Sequence, residues 1–374
     1  MKENAGKVMT VLGLIDPEAL GHTLVHEHTL TNLLCYASPA EDPEEAKLFK
    51  EKITLENLRF VHDNPYAIEE NCICQDSDLI VKELELFKKA GGGSICDLTT
   101  QKEENGAYFE GSDFKMITDT NHWLGVRDIA ERSGVNIILS VGHYMERTHP
   151  KQIKEMTAER LAGSFIDVVR NGYGDTEIRP GILGEIGVGP VLHDEEIKVL
   201  RTVALTQAET GLGVNVHMEP YTWEYDFRVL DILEESGADL TRVAILDREA
   251  SLTNRKWSFH DALDHLVAIC DRGAFVAFDT CGNNDSFYTE YATWDNPSDA
   301  QRAIAVNSLC NRGHAKRVLL SQDTAHRYLF TSYGGSSFIH LLTKFRNMCL
   351  QNGVTEYDYE TILVRNPKYL LTIK

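Results

Sequence analysis

Eight short apolar runs, each followed by a segment with helical apolar spacing, constrain this chain more than any other feature. The runs cover residues 22–28, 94–98, 135–141, 181–186, 213–217, 242–247, 274–279 and 317–323. The helical segments cover 78–90, 123–133, 156–170, 194–210, 227–236, 261–271, 299–312 and 358–364. Strands this continuously apolar belong to a parallel sheet covered on both faces, and parallel neighbours need a helical crossover between them. Eight such units close as an α/β (β/α)8 TIM barrel. A doubly wound open sheet is the alternative, but no Gly-rich phosphate loop follows the first run. The chain therefore reads as one barrel domain over 1–374 with long strand-end loops. The longest, 31–78, holds Pro39, Asp42-Pro43-Glu44-Glu45 and Asn64-Pro65. A loop of that length is usually functional, and it reads as a partly helical cap inserted after strand one. Ahead of the barrel, 8–14 reads as a short hairpin arm with Gly13 at its turn.

Charge and cysteine usage narrow the function classes. The formal net charge of −20 argues against nucleic acid and anionic membranes, because nothing offsets phosphate repulsion. The eight cysteines are scattered without a CxxC pair and read as reduced thiols. No run reaches the roughly 18 apolar residues of a membrane span. The apolar stretch after Lys7 is too short for a signal peptide, so a cytosolic protein is expected.

The chemistry gathers at strand ends. His26-Glu27-His28 closes the first run, and residues i and i+2 share one face of a strand, so both imidazoles can reach one ion. Imidazole nitrogen suits zinc and its first-row neighbours. Glu185 sits late in the fourth run, His217 ends the fifth and Asp323 ends the eighth. Singly, each has an ordinary reading: an ion-paired glutamate, a core histidine, a helix-capping aspartate. Together they place nitrogen and oxygen ligands at the carboxyl end of a barrel, where barrel enzymes carry their active sites. Metal-assisted hydrolysis needs such a cluster with a position left for water.

The stretch Gly21-His22-Thr23-Leu24-Val25-His26-Glu27-His28, the segment 182–186 around Glu185, His217 and Ser321-Gln322-Asp323 together resemble the phosphotriesterase family of the amidohydrolase superfamily. The resemblance is to its phosphotriesterase-related branch, which includes proteins named resiniferatoxin-binding. Residues 7–14, Asn64-Pro65-Tyr66, Gly91-Gly92-Gly93, Tyr333-Gly334-Gly335 and Asn366-Pro367-Lys368 extend it over nearly the whole chain. It implies a (β/α)8 barrel holding two divalent metal ions, commonly zinc. His26, His28 and Asp323 match the ligands of the more buried ion, and His217 matches a ligand of the outer one. Glu185 matches the bridging ligand, which is a carboxylated lysine in some members.

Strand six departs from the family pattern. Members usually end it with a histidine in a Ser-His-x-Asp-Arg setting, whereas this chain reads Ala244-Ile245-Leu246-Asp247-Arg248. Counting without gaps from Gly237-Ala238-Asp239 puts Asp247 at the histidine position; aligning the Asp-Arg pair puts Ile245 there and leaves no ligand. The strand-end argument favours Asp247, since a carboxylate also binds zinc.

The resemblance implies hydrolysis by a metal-bound hydroxide, with Asp323 accepting the proton and passing it to the leaving group. Tyr144, in Gly142-His143-Tyr144, either donates a hydrogen bond to a substrate or product oxygen or lines the pocket. The expected activity is divalent-metal-dependent hydrolysis of a carboxylic ester, lactone or small amide, with phosphotriesters as a side activity. The alternative is a small-molecule binding protein that kept the barrel and lost catalysis, motivated by strand six. Substrate choice should lie in strand-end loops: Cys35 and Tyr36 after strand one, 248–260 after strand six, and 326–338 after strand eight. Arg255, Lys256, Trp257 and His260 in the second of these suit an anionic substrate tail or a solvated surface. A small-molecule substrate is expected, with neither nucleic acid nor membrane as partner; the resemblance implies a homodimer.

Overall fold

Side chains along the strands divide between two apolar clusters, and that division makes the architecture. The computed structural model describes residues 4–100, 122–219, 222–284 and 295–374. Its principal sheet contains β1 (His22–Glu27), β2 (Gly92–Asp97), β3 (Asn136–Val141), β4 (Ile182–Val188), β5 (Gly213–Met218), β6 (Val243–Ile245), β7 (Phe275–Phe278) and β8 (Val318–Leu320). They lie side by side in sequence order, every described pair parallel. Val25, Cys96, Ile138, Ile182, Ala244, Ala277 and Leu319 meet in one cluster. Their neighbours Leu24, Ile95, Ile137, Leu183, Ile245, Val276 and Leu320 join the other, which includes the apolar faces of the helices. A period of two with both faces apolar is the signature of a strand buried on both sides. The fold is the α/β TIM barrel that the sequence predicts.

The covering helices are α1 (Ser77–Lys89), α2 (His122–Ser133), α3 (Ala158–Asn171), α4 (Asp194–Thr210), α5 (Asp226–Glu235), α6 (Phe259–Asp271), α7 (Asp299–Asn311) and α8 (Lys344–Gln351). Their starts follow from capping: the Asp76 side chain accepts from Leu79 N, and Ser258 and Ser298 begin capping boxes with Asp261 and Gln301. α1 buries Ile80, Leu84 and Phe87 and ends before Gly91, whose φ of +101° suits glycine. Gly93 is required for a different reason, since a Cβ there would overlap the Leu20 carbonyl. Within 31–78, Thr31–Asn32 pairs antiparallel with Ile73–Cys74, and Leu58–Asp63 is helical. Val61 and Ile68 of this stretch pack on Tyr328 and Leu329 after β8.

Three local readings differ from the sequence. The amino-terminal hairpin pairs Val8–Thr10 with Gly13–Ile15, so its turn is Val11-Leu12 and Gly13 already belongs to the second strand. α8 lies in a stretch the sequence pattern left without a helix. The terminal helix does not stop at Asn366-Pro367: Glu356–Glu360 passes through a π turn, Thr361–Arg365, into Asn366–Leu371. Pro367 falls in the first turn of that last segment, where no amide proton is needed. Leu370 and Leu371 then close the amino-terminal end of the barrel interior. All eight cysteines are unpaired, and no helix among the described residues is long and apolar enough to cross a membrane.

A strand ladder does not join β8 to β1 among the described residues; side chains bridge that seam. Ser321 Oγ accepts from His26 N at 2.9 Å. The Glu27 carboxylate accepts from Ser321 Oγ (2.7 Å), Gln322 N (2.9 Å) and Thr324 N (3.0 Å). Glu27 is wholly buried, and burial pushes its pKa up to about 7 against the pull of these donors. Removing the carboxylate strands several buried donors at once. Glu27→Ala should cost roughly 2–4 kcal/mol in denaturant unfolding; a loss below about 0.5 kcal/mol, typical of a surface change, would contradict this role for Glu27.

Candidate metal centre

Polar side chains on or just after β1, β4, β5, β6, β7 and β8 gather at one end of the barrel, and β1 and β4 break their regular pairing there. The β1–β2 register shifts between Leu24 and Glu27, and the β4–β5 register shifts between Leu183 and Ile186. Val25 and His26, adjacent in sequence, consequently reach the barrel interior and the site respectively. A bulge of this kind re-aims a side chain, and bulges concentrate beside active sites.

The three histidines share one design. Each gives one ring nitrogen to a protein acceptor and leaves the other facing carboxylates. His26 Nδ1 donates to Asp279 Oδ2 (2.9 Å), and its Nε2 lies 3.5 Å from Asp323 Oδ1 and 3.6 Å from Glu185 Oε1. His28 Nδ1 donates to Thr99 Oγ1 (2.9 Å), and its Nε2 lies 3.1 Å from Asp323 Oδ1 and 3.9 Å from Glu185 Oε2. His217 Nδ1 lies 2.7 Å from Asp247 Oδ2 and 3.1 Å from Glu185 Oε1, while its Nε2 faces Tyr144 OH (3.0 Å) and Glu219 Oε2 (3.4 Å). An outer hydrogen bond that fixes the tautomer of an imidazole is the usual support for a metal-binding histidine.

Asp247 and Asp323 reach the cluster from left-handed backbone, with φ of +58° and +45°. Such conformations are uncommon for residues other than glycine and persist where the surroundings enforce them. Asp247 N donates to Asp279 Oδ1 (2.8 Å), which holds the turn. Ile245, the other residue that strand six could have offered, is fully buried in the core. Glu185 lies between the two groups, with one oxygen toward both His26 and His217.

Several buried atoms here have no aligned hydrogen bond: His26 Nε2, His217 Nδ1 and Asp247 Oδ2. Unsatisfied buried polar atoms are rare in native proteins and need an explanation. Ligands at about 2.0–2.1 Å from a tetrahedral zinc ion lie roughly 3.3 Å from each other, which is the spacing of this cluster. His26, His28 and Asp323 offer atoms all within 4.8 Å of one another, and so do His26, Asp247 and Asp279. The donor set therefore fits divalent cations. Charge points the same way. Burial opposes protonation of His26, but Asp323, Glu185 and Asp279 override it and hold its pKa well above the ordinary value. Burial likewise opposes a raised pKa at His217, and Asp247 and Glu185 override it. Burial would raise Asp323, but His26 and His28 hold it low. These carboxylates demand positive charge between them, which divalent ions would supply in place of those protons.

Some supporting residues escape a reading based on ligands alone. Asp279, which supports both His26 and Asp247, ends a strand, and the strand-end rule would have found it. Thr99 is held by Asp97, which accepts from Thr99 N (3.0 Å) and Thr29 Oγ1. Tyr144 OH lies 2.7 Å from Tyr36 OH, so the cap reaches the site through two phenols. The loop after β6 is otherwise engaged: Arg255 pairs with Asp295 (3.1 Å), His260 with Asp264 (3.6 Å), and the Trp257 ring packs at a tilt against Trp223.

Known proteins resemble this chain along nearly its whole length. The phosphotriesterase family model matches residues 6–371. N-acetyltaurine hydrolase of Xenopus tropicalis is 32% identical over 376 aligned residues, covering all of both chains. The mouse protein of that name is also 32% identical with the same coverage. A resiniferatoxin-binding protein from Rhodobacter sphaeroides has a similar structure, with a TM-score of 0.87, 30% identity, and coverage of 98% of this chain and 95% of that one. The chain belongs to the phosphotriesterase family.

Proposed function

We propose that this protein is a divalent-metal-dependent hydrolase whose substrate is a small N-acyl amide, with carboxylic esters and lactones open to the same chemistry. The observation that carries the reading is Glu185, buried between two groups of ligand atoms, with His26 and His28 on one side and His217 and Asp247 on the other. Full-length relatives named N-acetyltaurine hydrolase favour the amide over the ester. We assign His26, His28 and Asp323 to the inner ion, His217 and Asp247 to the outer one, and Glu185 to both.

Divalent ions held there would lower the pKa of a water and polarise the acyl oxygen. The chain supplies the proton handling. Asp323, kept ionised by its histidines, is the base: it takes a proton from the attacking water and returns it to the leaving nitrogen. A carbon–oxygen bond forms, the carbon–nitrogen bond breaks, and water plus amide gives carboxylate plus amine. With His217 Nδ1 turned to the carboxylates, its Nε2 carries the proton and donates outward to the oxygens of Tyr144 or Glu219. The Tyr144 hydroxyl proton is then available to the acyl oxygen. The alternative of a binding protein rested on strand six having lost its ligand, and Asp247 beside His217 weighs against it.

A panel of N-acetyl amides, lactones, aryl esters and an aryl phosphotriester, assayed at one enzyme concentration, tests this reading. Carbonyl substrates should turn over fastest, and chelation should abolish turnover until zinc or manganese is restored. A phosphotriester hydrolysed far faster than every carbonyl substrate would overturn it. Asp323→Asn should lower kcat by ~10²–10⁴-fold, the usual weight of a general acid–base group; an unchanged kcat would remove Asp323 from that role.

A further inference from the structure

Beside the site stands a cation that the reaction above does not use. Arg147 lies in the turn Glu146–Thr148 that follows β3, three residues beyond Tyr144. Its guanidinium carbon sits 4.3 Å from the centroid of the Tyr36 ring. Tyr36 is the phenol hydrogen bonded to Tyr144, and Tyr144 in turn meets His217. The same Tyr36 ring stacks on Tyr66 (5.2 Å), which stands edge-on to His326 (5.0 Å) three residues past Asp323. Arg147 thus flanks the pair of phenols that reaches His217.

Two of its nitrogens, Nε and Nη2, are buried without an aligned hydrogen bond, although the Tyr36 phenol and the Glu219 carboxylate both favour its charge. No ion pair among the described residues includes Arg147, and its neighbour Glu146 turns to Lys154 instead (3.5 Å). Leaving buried donors of a charged group unmatched is costly, more so in a chain of net charge −20 with carboxylates to spare. Other arginines with an open nitrogen are accounted for elsewhere. Arg302 pairs with Asp299 (3.1 Å), Arg242 donates to the Leu370 carbonyl (2.6 Å), and Arg179 lines a cavity with Met9 and Ile373, at the end of the barrel where the chain termini meet.

We propose that Arg147 is a specificity-determining residue that binds an anionic group, a sulfonate or a carboxylate, on the amine half of the substrate while the acyl carbon lies at the metal cluster. This rests on the hydrolase reading and narrows it to N-acyl amides of amino acids and aminosulfonic acids. The guanidinium fork matches two oxygens of either group, and the Tyr36 ring beneath it fixes its plane.

The test compares N-acetyltaurine, N-acetyl-β-alanine and neutral N-acetylpropylamine on the metal-loaded wild type, Arg147→Gln and Arg147→Lys. The quantity read is the ratio of kcat/KM for each anion to that for the neutral amide. Because the ratio is taken within each variant, any loss of folded protein cancels. In the wild type it should be ~10–100, carried mainly by KM, as expected for a hydrogen-bonded charge pair. It should fall to near one in Arg147→Gln and recover in part in Arg147→Lys. The sulfonate and carboxylate arms separate the two anion chemistries. A wild-type ratio near one, or a high ratio unchanged in Arg147→Gln, overturns the proposal and leaves the hydrolase reading intact. If no amide is hydrolysed, the hydrolase reading fails instead. Calorimetric titration of taurine and β-alanine then decides the anion site alone: binding lost in Arg147→Gln supports it, and equal or absent binding in both proteins overturns it.

Discussion

The structure depends on a set of buried carboxylates crowded against imidazole nitrogens that they do not properly hydrogen bond. Asp247 Oδ2 and His217 Nδ1 are 2.7 Å apart without alignment, and Glu185 reaches toward His26, His28 and His217. Like charges at that spacing repel, and burial removes the water that would soften the repulsion. Protons on the histidines offset some of this, which is why their pKa values rise. Divalent cations would offset more of it and would also satisfy the stranded lone pairs. The left-handed backbone at Asp247 and Asp323 and the shifted registers of β1 and β4 lie at this same cluster.

Around the cluster runs a second layer that orients it. Asp279 holds both His26 and the Asp247 turn, Thr99 and Asp97 hold His28, and Tyr144 with Glu219 takes the outer nitrogen of His217. Glu27 serves two levels of organisation at once. It sits between His26 and His28 in sequence, yet its side chain ties β1 to β8 and so closes the barrel whose mouth carries the site. Closing the fold and aiming the ligands are therefore one operation at this seam. Residues 31–78 contribute through the Tyr36–Tyr144 contact, with Arg147 over the Tyr36 ring.

Much of this was legible in the amino-acid sequence, because the features concerned repeat or sit at fixed places. Eight apolar runs with helical followers imply a barrel, and ligands at strand ends follow from the barrel itself. Strand six was ambiguous by one alignment choice; its geometry places Asp247 in the cluster and Ile245 in the core. What stayed hidden depends on three-dimensional company. Thr99 and Glu27 are ordinary polar residues whose partners lie far away in the chain, Glu27 meeting residues near 322. Arg147 is marked only by guanidinium nitrogens left without an aligned hydrogen bond, which a sequence cannot display. The terminal helix ran past Asn366-Pro367 because a π turn and a first-turn proline kept it going, where the pattern alone suggested a stop.

The central claim is that this cluster is a two-ion site completed by Asp247. Elemental analysis of protein purified without chelator, for wild type and Asp247→Ala, tests it most directly. The account predicts two divalent ions per chain in the wild type and about one in the variant, since a carboxylate completes a zinc site as histidine does. One ion in both proteins would remove Asp247 from the ligand set, and none after incubation with zinc or manganese would contradict the metal centre altogether.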